Sequence, residues 1–323
     1  MHRSAASAAW LSAHLFFEGD IYSQACDHVL LEVVEPFVRQ GQKRKWLDRF
    51  FFVRYSERGS HVRLRLHGEP AVLYGAVKRA LDRYVAGPAV GRACSEHKGL
   101  PEQAIKPSVS LQWVPYGPEI ERYGGPAGVA LAETVFHYSS EAGLSLLKDS
   151  LHQERPARLG KGLLAMVVAL HAFCKRRDLA VTLARLYRTS IISLAANDKS
   201  QHSFWSKPLE ESYARQAPKL LAYLNTLWEE LDAASLSIGA LGSYYRHLRE
   251  VEERFVHLAS RGRLQSNGVV LMNPEHAVCA IVPSYIHMMN NRLGIAVPEE
   301  LYLAHLAMRA LETEDHHHYS HER

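Results

Sequence analysis

The apolar pattern changes its period once along the chain, and that change constrains the fold more than any other feature. Up to residue 114, apolar side chains come in short runs separated by two amphipathic stretches; after Pro126 they recur at three- and four-residue steps almost without interruption. Four short runs, WLSAHLFFE (10–18), WLDRFFFVRY (46–55), HVRLRLHG (61–68) and SVSLQWV (108–114), are rich in aromatic and β-branched residues, which predicts strands. SERGS (56–60) joins the middle two as a hairpin turn around Gly59.

Between the strands the spacing is helical. Ala25, Val29, Val33 and Phe37, with Leu30 and Val34, predict a helix over 23–39 whose last turn Pro36 disturbs and which Gly41 closes. Glu69-Pro70 opens a second helix over 70–86 carrying Val72, Leu73, Val77 and Leu81. Residues 87–106, rich in Gly, Pro and charge, read as a loop. The order β-α-β-β-α-β with right-handed crossovers favours a ferredoxin-like antiparallel sheet with both helices on one face. Candidate helices follow at 127–138, 140–153, 156–176, 178–195, 208–232, 236–262, 275–292 and 297–312. The expectation is an α+β chain: a ferredoxin-like half (1–117) and a mostly α-helical half (118–313) forming one integrated unit, then a disordered tail (314–323).

Composition excludes several classes. Thirty-eight Lys and Arg against 34 Asp and Glu leave +4, too small a surplus to point to nucleic acid. Four widely spaced cysteines suggest neither a disulfide framework nor a zinc knuckle, and no apolar run approaches the roughly 20 residues a bilayer requires. The protein is therefore expected in the cytoplasm, without membrane contact. Dinucleotide, Walker, zinc-protease and serine-hydrolase motifs are missing.

Three segments place polar groups where a core is expected. Alternation along HVRLRL puts His61, Arg63 and Arg65 on one face and Val62, Leu64 and Leu66 on the other. The apolar set must face the helices, which leaves the cations on the open face, and Arg54 interrupts FFFVRY on the neighbouring strand. Either acids of the chain pair with these arginines, or a carboxylate or phosphate ligand does, since a guanidinium binds such groups bidentately. Glu119 to Pro126 (EIERYGGP) is a Gly-Gly-Pro reversal carrying Arg122, which a nearby salt bridge would equally explain. In SYIHMMNNRLGI (284–295), Ser284, His287 and Asn291 share a helix face; His287 reads as a satisfied core histidine or, near an arginine cluster, as a proton-transfer group.

Taken in order, W-L-S-A-H-L-F-F, F-F-V-R-Y with H-V-R-L-R-L, E-R-Y-G-G-P with A-E-T-V-F, and S-Y-I-H-M-M-N-N-R-L-G resemble one family over residues 10 to 295. It is the C-terminal elimination domain of class I lantibiotic dehydratases, here resembling the stand-alone "thiopeptide-type bacteriocin biosynthesis" form. The resemblance implies a lyase. A partner enzyme esterifies Ser or Thr of a precursor peptide with glutamate from glutamyl-tRNA, and this domain expels the glutamate to leave dehydroalanine or dehydrobutyrine. It implies catalytic roles for Arg63, Arg65, Arg122 and His287; from the residues themselves, His61, Arg54, Tyr55, Tyr123, Ser284 and Asn291 are expected substrate contacts. The resemblance implies no metal, no organic cofactor and no direct nucleic-acid contact. Two alternatives stand beside elimination: a pyridine synthase performing the formal aza-[4+2] cycloaddition of two dehydroalanines, and a leader-peptide-binding scaffold without turnover.

Overall fold

The computed structural model describes residues 8–86, 109–195, 202–233 and 239–318. Contact clustering divides the chain into two compact units, Met1–Pro118 with Ser139–His152, and Glu119–Tyr138 with Gln153–Arg323. The sequence placed the division between residues 117 and 118 with all later residues together; the structure instead assigns Ser139–His152 to the sheet unit. The reason is local: the backbone N–H of Phe52 donates to Ser140 Oγ at 3.2 Å, and Arg39 pairs with Glu141 at 2.6 Å.

In the first unit, β1 (Ala9–Phe17), β2 (Arg49–Tyr55), β3 (His61–Gly68) and β4 (Val109–Trp113) form an antiparallel sheet in the order β2-β3-β1-β4. Two helices, α1 (24–43) and α2 (70–86), pack on one face of this sheet. Leu11, Ala13, Leu15, Phe50, Phe52, Val62, Leu64 and Leu66 are buried at most 5% exposed on that face. Burying this alternate set leaves its odd partners on the opposite face, as the period of two demands.

Pro36 does not end α1, which continues to Lys43. A π-helical turn over Val29–Val34 precedes it, and the Glu32 carbonyl, which Pro36 has no N–H to serve, accepts from the Tyr84 hydroxyl at 3.3 Å. Gly41 therefore sits inside the helix instead of closing it. The expected loop 87–106 lies outside the described residues.

After β4 the described elements are helical apart from one hairpin, and the first of these helices is shared between the two units. Residues 127–138 and 140–153, expected as two helices, are one element, α3 (Gly125–Lys148), because Ser139 and Ser140 are buried inside it and nothing there breaks the backbone ladder. Then come α4 (Arg155–Phe173), α5 (Arg177–Ala195), α6 (His202–Asp232), α7 (Gly239–Ser260), β5 (Leu264–Ser266), β6 (Val269–Leu271), α8 (Pro274–Arg292) and α9 (Val297–His318). From Gly162 to Phe173 every residue of α4 except Leu164 is buried, so it forms the centre against which α7, α8 and α9 pack. Gly162 makes room for the connection between α8 and α9 and for α9 itself: a Cβ there would stand 2.2 Å from Ile295 Cδ1 and 3.0 Å from Leu303 Cδ1. The last helix runs past residue 314 to His318, and residues 319–323 lie outside the described ones. Among the described residues, no helix is long and apolar enough to cross a membrane.

Candidate functional site

Two clusters contain the residues singled out by sequence, one in each unit. In the sheet unit, register fixes the company of the arginines. Arg65 pairs across the ladder with Ser12 and Phe51, Arg63 with His14 and Val53, and His61 with Phe16 and Tyr55. Directly opposed residues share a face, so Ser12, His14, Tyr55, His61, Arg63 and Arg65 all lie on the side away from α1 and α2.

The charge on this face is not internally neutralised. Neither Arg63 nor Arg65 forms an ion pair among the described residues. Arg63 lies 3.2 Å from the centroid of the Tyr55 ring, and its Nε donates to His61 Nε2 at 3.4 Å. Arg65 is only 8% exposed, with its guanidinium 5.6 Å from the Tyr116 ring centroid. Burial, followed by the nearby charge of Arg63, pushes its pKa down to about 10.

Two of the histidines on this face, His61 and His14, are held neutral. His61 Nδ1 donates to the Gly59 carbonyl at 2.8 Å, which leaves Nε2 as the acceptor for Arg63. His14 stacks on His61 with ring centroids 4.7 Å apart and planes 24° apart. Burial, then the charges of Arg65, His61 and Arg63, lower the His14 pKa to about 4. Its Nε2 and the Ser12 hydroxyl are buried without a hydrogen-bond partner among the described residues. Sequence reasoning missed His14 as a site residue, although alternation along Trp10, Ser12, His14 and Phe16 carries the signal.

Arg54 does not belong to this cluster, and the expectation that it binds substrate is corrected. It sits one residue out of phase with Val53 and Tyr55, hence on the helix-covered face. There it is fully buried, donating to Asp27 Oδ1 at 2.6 Å and to the Ile21 carbonyl at 2.8 Å.

In the helical unit, the Gly-Gly reversal positions Arg122. Gly124 and Gly125 adopt φ of +94° and +80°, and the Gln265 N–H at the start of the unanticipated β5–β6 hairpin donates to the Gly124 carbonyl at 3.2 Å. Arg122 Nε donates to Ser284 Oγ at 3.1 Å, and Nη1 donates to Glu119 Oε2 at 3.0 Å in an exposed pair. The Arg122 guanidinium lies 5.4 Å from the centroid of the Tyr123 ring. Tyr123 is 4% exposed, edge-on to Phe136 and stacked with Tyr285, and burial pushes its hydroxyl up to about 12. A core position, not substrate contact, is its place.

His287 stands one turn beyond Ser284 on α8 and faces the buried carboxylate of Glu300 on α9. Its Nδ1 lies 3.0 Å from Oε2 and 3.1 Å from Oε1. Glu300 also accepts from the Tyr187 hydroxyl and, at 3.3 Å, from Asn290 Nδ2, which in turn donates to Tyr187 at 3.1 Å. Burial and the adjacent Glu300 charge hold the Tyr187 hydroxyl well above its ordinary pKa, so it stays a donor. A carboxylate can only accept, so Nδ1 is the donor and Nε2 is the nitrogen that the network leaves to other partners. Asn290, the residue before the expected substrate contact Asn291, supplies the amide of this network. Glu300, Tyr187 and Asn290 were missed, because in sequence Glu299-Glu300 reads as ordinary acids at a helix start.

Each cluster has its own chemistry: in the sheet unit, partly desolvated cations without an acidic partner among the described residues; in the helical unit, an imidazole with one nitrogen anchored. Among the described residues, no group of His, Cys, Asp and Glu gathers as a metal site.

A family model described as the C-terminal part of the lantibiotic biosynthesis dehydratase matches residues 10–311. The epidermin biosynthesis protein EpiB of Staphylococcus epidermidis is 24% identical over 143 residues, 43% of this chain but only 12% of that longer protein. Three solved structures share the fold. The tRNA-dependent lantibiotic dehydratase MibB from Microbispora sp. 107891 matches with TM-score 0.66 and 21% identity over 98% of this chain and 29% of that one. TbtD, a pyridine synthase from thiomuracin biosynthesis, matches with TM-score 0.68 and 17% identity over 94% and 98% of the two chains. TsrL matches with TM-score 0.66 and 15% identity over 96% of both.

Proposed function

This chain belongs to the lantibiotic biosynthesis dehydratase C-terminal family, and on that premise we propose that it is a lyase that eliminates glutamate from glutamylated Ser or Thr of a ribosomally made peptide. The observation that carries the reading is the pair Arg63 and Arg65, side by side on β3 and free of ion pairs among the described residues. Buried like charges without acids are costly to the fold and are explained by an anionic ligand.

The reaction breaks the Cα–H bond and the Cβ–O bond of the ester, forms the Cα=Cβ bond and releases glutamate as a carboxylate. Negative charge develops on the peptide carbonyl oxygen and on the leaving group. Arg63 and Arg65 receive the glutamate carboxylates, and Arg122, held by Ser284, stabilises developing charge. Nε2 of His287 moves the proton, with Glu300 as a positioning residue that fixes the tautomer. Tyr55 orients Arg63 from beneath, and His61 and His14, kept neutral, hydrogen-bond without adding charge. We further read the sheet unit as ferredoxin-like, supported by its β2-β3-β1-β4 order. The partners in this reading are the precursor peptide and a glutamyl-tRNA-dependent glutamylating enzyme, which the tRNA-dependent dehydratase among the structural relatives supports.

A second reading, pyridine formation from two dehydroalanines, is supported by the near end-to-end match with TbtD. Mass spectrometry of a reconstituted system separates the two. Elimination converts a glutamyl adduct to dehydroalanine, and Arg63→Ala or His287→Ala lets the adduct accumulate. Undiminished dehydroalanine formation in both variants, or consumption of a peptide already carrying dehydroalanines, overturns the elimination reading.

A further inference from the structure

The helical unit holds a second charged cluster that the proposed reaction does not use. Arg188 on α5, Lys207 and Glu210 on α6, and His305, Arg309 and Glu312 on α9 line a pocket of about 550 Å³. Its two carboxylates are already committed. Glu210 Oε1 accepts from Arg309 at 3.0 and 3.2 Å, and Glu312 accepts from Arg185 at 2.7 Å and from Arg309 at 3.1 Å.

The remaining donors are not satisfied. Arg188 is half-buried, forms no ion pair among the described residues, and its Nε is buried without a hydrogen-bond partner there. His305 is 3% exposed; its Nε2 lies 3.3 Å from Glu210 Oε2, while Nδ1 has no hydrogen-bond partner among the described residues. Lys207 is exposed and, among the described residues, forms an ion pair only with Glu211, at 4.0 Å. A half-buried guanidinium with an unpaired Nε, beside a buried imidazole, is costly unless an anion lies close to it.

We propose that this pocket binds a carboxylate-bearing ligand, a free amino acid or the acidic side chain of a peptide, whose oxygens meet the Arg188 guanidinium and the Lys207 ammonium close to His305. The guanidinium fork matches a planar carboxylate, and the volume far exceeds what a lone inorganic ion fills. Binding is coupled to proton uptake. Burial first, then the charges of Arg188 and Arg309 against that of Glu210, hold His305 below its ordinary pKa. Lys207 and Glu312 complete the charged lining, and the Tyr213 ring stands edge-on to His305 at 6.4 Å. A bound carboxylate adds negative charge and draws a proton onto His305, so affinity rises as pH falls.

The test is calorimetric titration of the full chain carrying Arg63→Ala and Arg65→Ala, which removes the sheet cluster and separates this site from the proposed reaction. The probes are L-glutamate, a blocked Glu-Glu dipeptide and, at matched ionic strength, inorganic phosphate. Millimolar binding of glutamate assigns the free amino acid, and binding of the dipeptide alone assigns a peptide side chain. Arg188→Gln weakens binding by about tenfold or more, the loss expected for a charged hydrogen-bonding partner. Lys207→Gln, at an exposed side chain that no core packing depends on, weakens it about threefold. Affinity increases between pH 7.5 and 6.0, and His305→Gln flattens that dependence. Absence of carboxylate binding, affinity unchanged by Arg188→Gln, or phosphate bound as tightly as glutamate overturns the proposal.

Discussion

The carboxylate of Glu300 presents both oxygens to Nδ1 of His287, at 3.0 and 3.1 Å, from a site that is itself 1% exposed. Glu300→Gln keeps the shape and lets the amide donate where the carboxylate accepted, so the imidazole loses its tautomer and orientation. We expect kcat to fall about 10- to 100-fold with KM little changed, as for other groups that orient a reacting side chain. A merely structural role would lower the melting temperature and leave the kcat-to-KM split unaltered, which a thermal melt beside steady-state kinetics distinguishes.

Arg65 sits where function and stability oppose each other. Arg65→Met removes a buried cation and keeps the length of the side chain, so the free protein is expected to melt at the same or a higher temperature. The same change, like Arg63→Ala, should lower elimination by about 10²- to 10³-fold, the loss typical of one donor to developing negative charge. Arg65→Lys restores charge without the planar fork and should recover only part of the rate.

The His14 pKa of about 4 makes stability pH-dependent. In the unfolded chain the imidazole takes its proton near pH 6.5, whereas in the folded protein it does so only near 4. The unfolded state therefore binds more protons between these values, and stability present above pH 6.5 is lost as the pH falls toward 4. With solvent screening the loss attributable to His14 is about 1–2 kcal/mol. Urea midpoints at pH 7.0 and 4.5 should differ less in His14→Phe than in the unaltered protein; His61 and His171, also lowered by burial, account for part of the remainder.

The Arg54–Asp27 pair is structural, and its removal should act on folding alone. Asp27→Ala leaves a fully buried guanidinium without its acid, a loss of about 3–5 kcal/mol in a denaturant titration. Combining it with Arg54→Met should restore most of that, since the double change replaces two charges with apolar volume. The folded double variant is expected to retain its activity. Activity lost in parallel with Arg63→Ala would return Arg54 to the site.

Much of this was legible before any coordinates. Alternation along β3 placed His61, Arg63 and Arg65 together, because a strand leaves its side chains no choice of face once Val62, Leu64 and Leu66 are buried. The same rule, applied to β2, would have excluded Arg54, which is out of step with Val53 and Tyr55. The β5–β6 hairpin went unseen because three-residue strands carry too little periodicity to stand out from flanking helices. Its Asn267-Gly268 turn, with φ of +49° and +76°, was the available signal.

Periodicity is a local property, so the sequence alone could decide which residues form helices and strands and which side chains share a face. Partnership is not local. That Glu300 serves His287 while Glu299 serves Arg155, that Asn290 joins Glu300, and that Arg54 meets Asp27 while Arg63 meets no acid among the described residues, depends on how distant helices and strands are packed. A rotation of one residue along α8 or α9 would exchange these neighbours without altering the pattern of apolar spacing, and only burial of the common core selects among such alternatives.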